Sequence, residues 1–168
     1  MKTISFFNNK GGVGKTTSVL AVASHLAQKG HQVLVIDLDP QANCSDTAGV
    51  FDGSEEAKTI YPLLTTPFHQ LSEEQAKQAV LESIQHSDLF DVDVLPSNIL
   101  LDEFHDSMST AMNREYRLKK IMTFVENRYE YCLIDCQPSL SLLTNNALVA
   151  SQYIVIPCDS SKYALTGM

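Results

Sequence analysis

Residues Asn9-Lys10-Gly11-Gly12-Val13-Gly14-Lys15-Thr16-Thr17 follow, after Asn8, on the apolar run Ile4-Ser5-Phe6-Phe7. A glycine-rich turn set between a buried strand and a helix is the junction around which parallel α/β sheets hold phosphorylated ligands, so it restricts the fold of this chain more than any other segment. Gly11, Gly12 and Gly14 admit backbone conformations closed to residues with a Cβ, which lets successive N–H groups point inward at phosphate oxygens. Lys15 supplies a positive charge to β- and γ-phosphates, Thr16 a hydroxyl for Mg²⁺, and the helix that follows lends its N-terminal dipole. Gly11, Gly12, Val13, Gly14, Lys15, Thr16 and Thr17 are therefore the expected binding loop for a Mg-nucleoside triphosphate. The usual pattern G-x-x-x-x-G-K-[ST] is not met, because Asn9 stands where its first glycine belongs, and an additional lysine, Lys10, precedes the glycines.

The rest of the chain reads as alternating strands and helices. Lys2 to Asn8 and Gln32 to Asp37 are continuous apolar strands, separated by a helix from Thr16 to Lys29 that Gly30 stops. Leu20, Val22, Ala23, Leu26 and Ala27 of that helix are expected to face the sheet. Helices are expected over Glu55–Leu64 and Ser72–Ser87, the second with Ser72 as N-cap, then a third strand over Phe90–Leu95 ended by Pro96. A short helix over Leu101–Met112 puts Met108 and Met112 in the core, and a helix over Arg114–Asn127 follows. The fourth strand is Tyr131–Asp135, then come a helix over Leu140–Ala150 and a fifth strand over Tyr153–Pro157. Apolar strands alternating with helices predict an α/β fold, a mostly parallel sheet with helices on both faces.

At 168 residues, residues 1–168 suit a single domain. No stretch approaches the ~20 apolar residues of a membrane span, and the N-terminus lacks the pattern of a signal peptide, so the cytoplasm is the expected location and no membrane partner is indicated. A net charge of −8 argues against coating of nucleic acid by bulk electrostatics. Arg114, Arg117, Lys119, Lys120 and Arg128 concentrate basic charge in one segment, read as a solvated helix face. Cys44, Cys132, Cys136 and Cys158 show neither zinc spacing nor the density of a disulfide scaffold; Cys132 and Cys158 are expected in the core. The five histidines are scattered without metal-ligand spacing.

Two further motifs carry chemistry. Asp37-Leu38-Asp39-Pro40-Gln41 closes the second strand, and ligands of open α/β sheets sit beyond the carboxyl ends of strands, which puts these carboxylates near the phosphates. Asp39 can position an attacking water. Leu133-Ile134-Asp135 is an apolar strand ending in an acid, suited to holding Mg²⁺ through water.

Lys10-Gly11-Gly12-x-Gly14-Lys15-Thr16, Asp37-x-Asp39-Pro40-Gln41 and Asp135-Cys136-Gln137-Pro138 together resemble the ParA/MinD family of deviant Walker A ATPases, a subgroup of P-loop NTPases. The likeness is closest to ParA-type (Soj-like) plasmid and chromosome partitioning ATPases without an N-terminal DNA-binding domain, and it runs on to Tyr163-Ala164-Leu165-Thr166-Gly167. It implies ATP and Mg²⁺ as cofactors, Lys10, Lys15 and Asp39 as catalytic residues, and Thr16, Asp37 and Asp135 at the metal. Lys10 is expected to reach a partner subunit's nucleotide, giving a homodimer with ATP and slow hydrolysis that releases it. A ParB-like centromere-binding protein is the implied partner. Members of the family continue for several elements past this point, so the chain is expected to lack C-terminal elements through which non-specific DNA would be bound. Three other readings share the loop. A MinD-like membrane-positioning ATPase needs a basic amphipathic C-terminal helix; a metabolic ligase of the dethiobiotin or cobyrinic acid synthase kind uses the loop without the extra lysine. Iron proteins related to nitrogenase bridge a dimer with a cysteine-held cluster, for which Cys136 is the one cysteine suitably placed.

Overall fold

Strands apolar on both faces are satisfied only between two layers of helices. In the computed structural model, which describes residues 1–50 and 58–158, that arrangement is present among the described residues. The strands are β1 Lys2–Phe6, β2 Val33–Leu38, β3 Gln85–Ser87, β4 Val92–Leu95, β5 Tyr131–Cys136 and β6 Tyr153–Val155. They form one sheet in the order β3-β4-β2-β5-β1-β6. Every neighbouring pair is parallel except β3 with β4. The helices are α1 Lys15–Gln28, α2 Asn43–Thr47, α3 Ile60–Thr65, α4 Glu73–Ser83, α5 Phe104–Ser107, α6 Arg117–Thr123 and α7 Leu142–Ala150.

The alternation of side chains along each strand sorts the core into two layers. On one face Phe6, Val33, Val35, Val94 and Leu133 pack against Val19, Leu20 and Ala23 of α1 and Cys44 of α2. On the other, Leu34, Ile36, Leu38, Cys132 and Ile134 pack against α3 to α7 through Ile60, Leu64, Val80, Phe104, Leu118, Ile121 and Ala147. Asn146 of α7 is fully buried, and its amide accepts from the Leu118 N–H and donates to the Arg114 and Leu142 carbonyls, which fixes α6 against α7.

Several expectations are corrected. The helix over Ser72–Ser87 begins as read, with Ser72 and Gln75 forming a reciprocal capping box, but ends at Ser83. Gln85–Ser87 instead pairs antiparallel with β4, His86 opposite Asp93, giving a strand that was not expected. The helix over Leu101–Met112 is a 3-10 turn over Ile99–Glu103 followed by α5, which stops at Ser107. Met108 is buried as expected, whereas Met112 lies beyond the helix end and is 88% exposed. The helix over Arg114–Asn127 opens as a 3-10 turn, and its α-helical part is Arg117–Thr123. Arg117 is no solvated residue: its guanidinium donates to the Leu64 and Thr66 carbonyls and stacks over Phe68. Val22 on α1 is exposed, and Cys158, expected in the core, is exposed because the chain around β6 has no covering layer among the described residues. The helix expected from Glu55 begins at Ile60 with Thr59 as its N-cap; its residues 55–57, like Tyr163–Gly167, lie outside the described residues.

Candidate functional site

The site forms where β1, β2 and β5 end. Their register sets Phe6 beside Asp135 and Asp135 beside Asp37, so two carboxylates and the start of the glycine loop share one edge of the sheet. Because the strand alternation is common to β2 and β5, both carboxylates point to the α1 side. The loop turns from β1 into α1 through Gly12 at φ +73° and Gly14 at φ +83°, the left-handed region in which a Cβ is strained; the space a Cβ would occupy is open. Asn8 pins the loop's base, its side-chain N–H donating to the Pro157 carbonyl at 2.9 Å and its Oδ1 accepting from the Lys10 N–H at 2.9 Å.

Lys15 is the first residue of α1 and lies buried, its Nζ donating to the Lys10 carbonyl across the loop at 3.2 Å. Thr16 Oγ1 donates to Asp135 Oδ2 at 2.6 Å. The second carboxylate oxygen, Asp135 Oδ1, is buried with no hydrogen-bond partner among the described residues. Burial raises the Asp135 carboxyl to about 7, the Thr16 bond opposes this, and the charges of Asp37 and Asp39 add to the rise. A buried carboxylate with an unmet acceptor beside a threonine hydroxyl is an all-oxygen donor set, which suits a hard ion such as Mg²⁺. Thr16 and Asp135 therefore fit the expected metal.

Asp39 stands across the opening. Its Oδ1 accepts from the Gln41 N–H at 3.0 Å, and its own N–H donates to Asp37 Oδ1 at 3.0 Å. Asp37 is fully buried, and burial pushes its carboxyl up to about 6 against the pull of its hydrogen bonds from Ser45 and Asp39.

These parts enclose a cleft of about 660 Å³. The glycine loop and Lys15, Thr16 and Thr17 form one wall, Asp39, Pro40, Gln41, Asn43 and Thr47 the second, and Asp102, Gln137, Pro138 and Ser139 the third. Of the residues expected at the site, Gly11, Gly12, Gly14, Lys15, Thr16, Thr17 and Asp39 line this cleft together. Asp135 lies directly behind Thr16. Val13, Lys10 and Asp37 are not in its lining, Lys10 being exposed on the loop and Asp37 sunk beneath Asp39. Asn43, Thr47, Asp102 and Ser139 were not anticipated. Asn43 opens α2, a helix too short to show periodicity, and Asp102 sits in a 3-10 turn with no motif around it. Cys136 is buried in the layer opposite α1, and that burial pushes its thiol up to about 12. No cluster of His, Cys, Asp and Glu suited to a metal occurs among the described residues.

A glycine-rich loop running from a central parallel strand into a helix, with a lysine and threonine at the helix start and an acid ending the neighbouring strand, defines a P-loop nucleotide site. The model of a family described as an AAA domain, AAA_31, matches residues 1–168, and the chain belongs to that ParA/MinD-like family. It is 36% identical over 167 residues to the sporulation initiation inhibitor protein Soj of Bacillus subtilis, covering 99% of this chain and 62% of that protein. It is 38% identical to the chromosome-partitioning ATPase Soj of Treponema pallidum, covering 99% of this chain and 60% of that one. Among solved structures, it is similar to a cobyrinic acid a,c-diamide synthase from Mycobacterium smegmatis with bound ADP and magnesium, with TM-score 0.87, 27% identity and coverage of 100% of this chain and 64% of the other. It is likewise similar to a putative plasmid partition protein of Borrelia burgdorferi bound to AMPPNP, with TM-score 0.80, 28% identity and coverage of 99% and 64%. The chain thus spans less than two thirds of the length of these relatives.

Proposed function

We propose that this chain is the nucleotide-binding part of a ParA-type partitioning ATPase, which binds ATP with Mg²⁺, pairs with a second copy, and hydrolyses the nucleotide slowly. The observation that carries the reading is the Thr16–Asp135 pair with its unmet buried oxygen, set between a glycine loop on one side and Asp39 on the other. The loop N–H groups and Lys15 would hold the phosphates, and Thr16 and Asp135 the Mg²⁺, which supplies charge neutralisation of the γ-phosphate oxygens. Asp39, facing the same cleft with one oxygen committed to Gln41, keeps a carboxylate oxygen to orient a water. Positioning and charge are sufficient for phosphoryl transfer, so no covalent step on the protein is needed. Lys10, exposed on the loop, would by likeness to the family address a partner's nucleotide.

The partitioning role comes by analogy with the Soj relatives, and with it a ParB-like partner and non-specific DNA. A metabolic ligase is the second reading, favoured by the likeness to the cobyrinic acid a,c-diamide synthase. Lys10 and the nearly full-length match to Soj proteins weigh against it. The test is phosphate release from MgATP by the wild type and Asp39→Ala. The variant is expected to keep mant-ATP affinity within about twofold and lose turnover by about a hundredfold or more. Equal turnover in both would contradict the reading, as would phosphate release that requires a carboxylic acid co-substrate.

A further inference from the structure

Asp37 was expected at the metal, yet its oxygens are directed elsewhere. Oδ2 accepts from both the backbone N–H and the hydroxyl of Ser45, at 2.8 and 2.7 Å, and Oδ1 accepts from the Asp39 N–H at 3.0 Å. The Ser45 oxygen in turn accepts from the Ser97 N–H at 2.9 Å, and the Ser97 hydroxyl donates to the Asp39 carbonyl at 2.7 Å. These bonds close a ring, Asp37 to Ser45 to Ser97 to Asp39 and back to Asp37. Asp37, Ser45 and Ser97 are all fully buried and absent from the cleft lining, while Asp39 faces the cleft.

The ring joins three elements that sequence separates. Asp37 belongs to β2, Ser45 to α2, and Ser97 follows Pro96 at the end of β4. Within the turn they enclose, the Asp39 carbonyl accepts a second bond from the Ala42 N–H at 2.9 Å, and Ala42 takes the left-handed backbone conformation at φ +52°. A non-glycine residue held there persists only when its surroundings over-determine it. Both backbone polar groups of Asp39, N–H and C=O, are thus fixed by buried partners, which leaves its side chain one anchored base from which to face the phosphates. Buried polar rings with every member satisfied give this kind of rigidity, and losing one member is felt by the rest.

We propose that Asp37, Ser45 and Ser97 form a buried positioning ring that holds Asp39 in register with the nucleotide cleft, and that Asp37 serves this ring and is not a Mg²⁺ ligand. The inference rests on the hydrolytic role proposed for Asp39. Ser97→Ala opens the ring at the Asp39 carbonyl without touching the cleft, and Ser97→Thr restores the hydroxyl.

In the full-length protein, Ser97→Ala is expected to lower kcat about tenfold, with mant-ATP Kd and the Mg²⁺ midpoint for nucleotide binding unchanged within about twofold. The Asp39 amide, followed by hydrogen exchange without nucleotide, is expected to exchange about tenfold faster, and Ser97→Thr to recover both values. Asp37→Asn should leave the Mg²⁺ midpoint in place and speed the same amide. Unchanged kcat and unchanged exchange in Ser97→Ala would overturn the proposal, as would a loss of nucleotide affinity equal to the loss in kcat. An Asp37→Asn variant that shifts the Mg²⁺ midpoint tenfold with the Asp39 amide unaltered would return Asp37 to the metal. Wild-type protein that binds mant-ATP without turning it over would overturn the hydrolysis reading instead, and the exchange comparison would still decide whether the ring holds Asp39.

Discussion

Lys15 illustrates how a single side chain is prepared before its ligand arrives. It is buried at the first turn of α1 with its ammonium on the Lys10 carbonyl, so its rotamer freedom is already spent in folding. Phosphate oxygens arriving in the cleft would exchange one neutral acceptor for charged ones, a contact worth about 3 kcal/mol at a shielded site. Lys15→Ala is accordingly expected to weaken mant-ATP binding about a hundredfold or more, with the circular dichroism of the fold retained. Affinity within twofold of wild type would refute the phosphate-loop assignment. The residues of this loop were legible in the sequence because glycines, lysine and threonine at this spacing leave one backbone path between a strand and a helix. Asp102, by contrast, reaches the cleft only through the packing of a 3-10 turn, and no local pattern announces it.

At the scale of elements, the strands and α1 were readable because burial on both faces writes a continuous apolar run. β3 was not, because Gln85-His86-Ser87 is polar and its pairing is decided by a neighbour across the sheet. That pairing brings His86 Nδ1 to 2.9 Å from Asp93 Oδ1, with Asp91 and Asp88 at 3.7 and 4.0 Å from Nε2. The hydrogen bond to Asp93, helped by the charges of the three aspartates and opposed by slight desolvation, raises the imidazole above its usual value of 6.5. A group whose folded value is raised contributes stability that is fully present below the unfolded value and is lost as pH rises through the folded one. The β3–β4 hairpin should therefore be better protected at about pH 6 than at about pH 8. Hydrogen exchange of the Gln85–Ser87 amides in wild type and His86→Gln measures this, the variant being expected to lose the pH-dependent part. Identical pH dependence in the two proteins would remove His86 from the account.

For the molecule as a whole, the α/β architecture followed from the alternation of apolar runs with helices, while the short α2 and the shortened α5 and α6 depended on tertiary contacts that no window of sequence contains. Charge also acts at this scale. With a net charge of −8, and with Arg117 of the basic segment bound to its own chain's carbonyls, these 168 residues are expected to bind random duplex DNA more weakly than about 10 μM at physiological salt, even with ATP present. A gel shift showing tighter, salt-sensitive binding would make the Arg114–Lys120 segment a DNA surface. The central claim, a nucleotide-driven pairing of two copies, is tested most directly by light scattering of the full-length protein with ATP and Mg²⁺, comparing wild type, Lys10→Ala and Asp39→Ala. Both variants should bind nucleotide and lose turnover. Lys10→Ala is predicted to stay at monomer mass because the contact to the partner's nucleotide is gone, and Asp39→Ala to rise to dimer mass and remain there because only hydrolysis is blocked. A Lys10→Ala protein that dimerises and hydrolyses as wild type does would contradict the account.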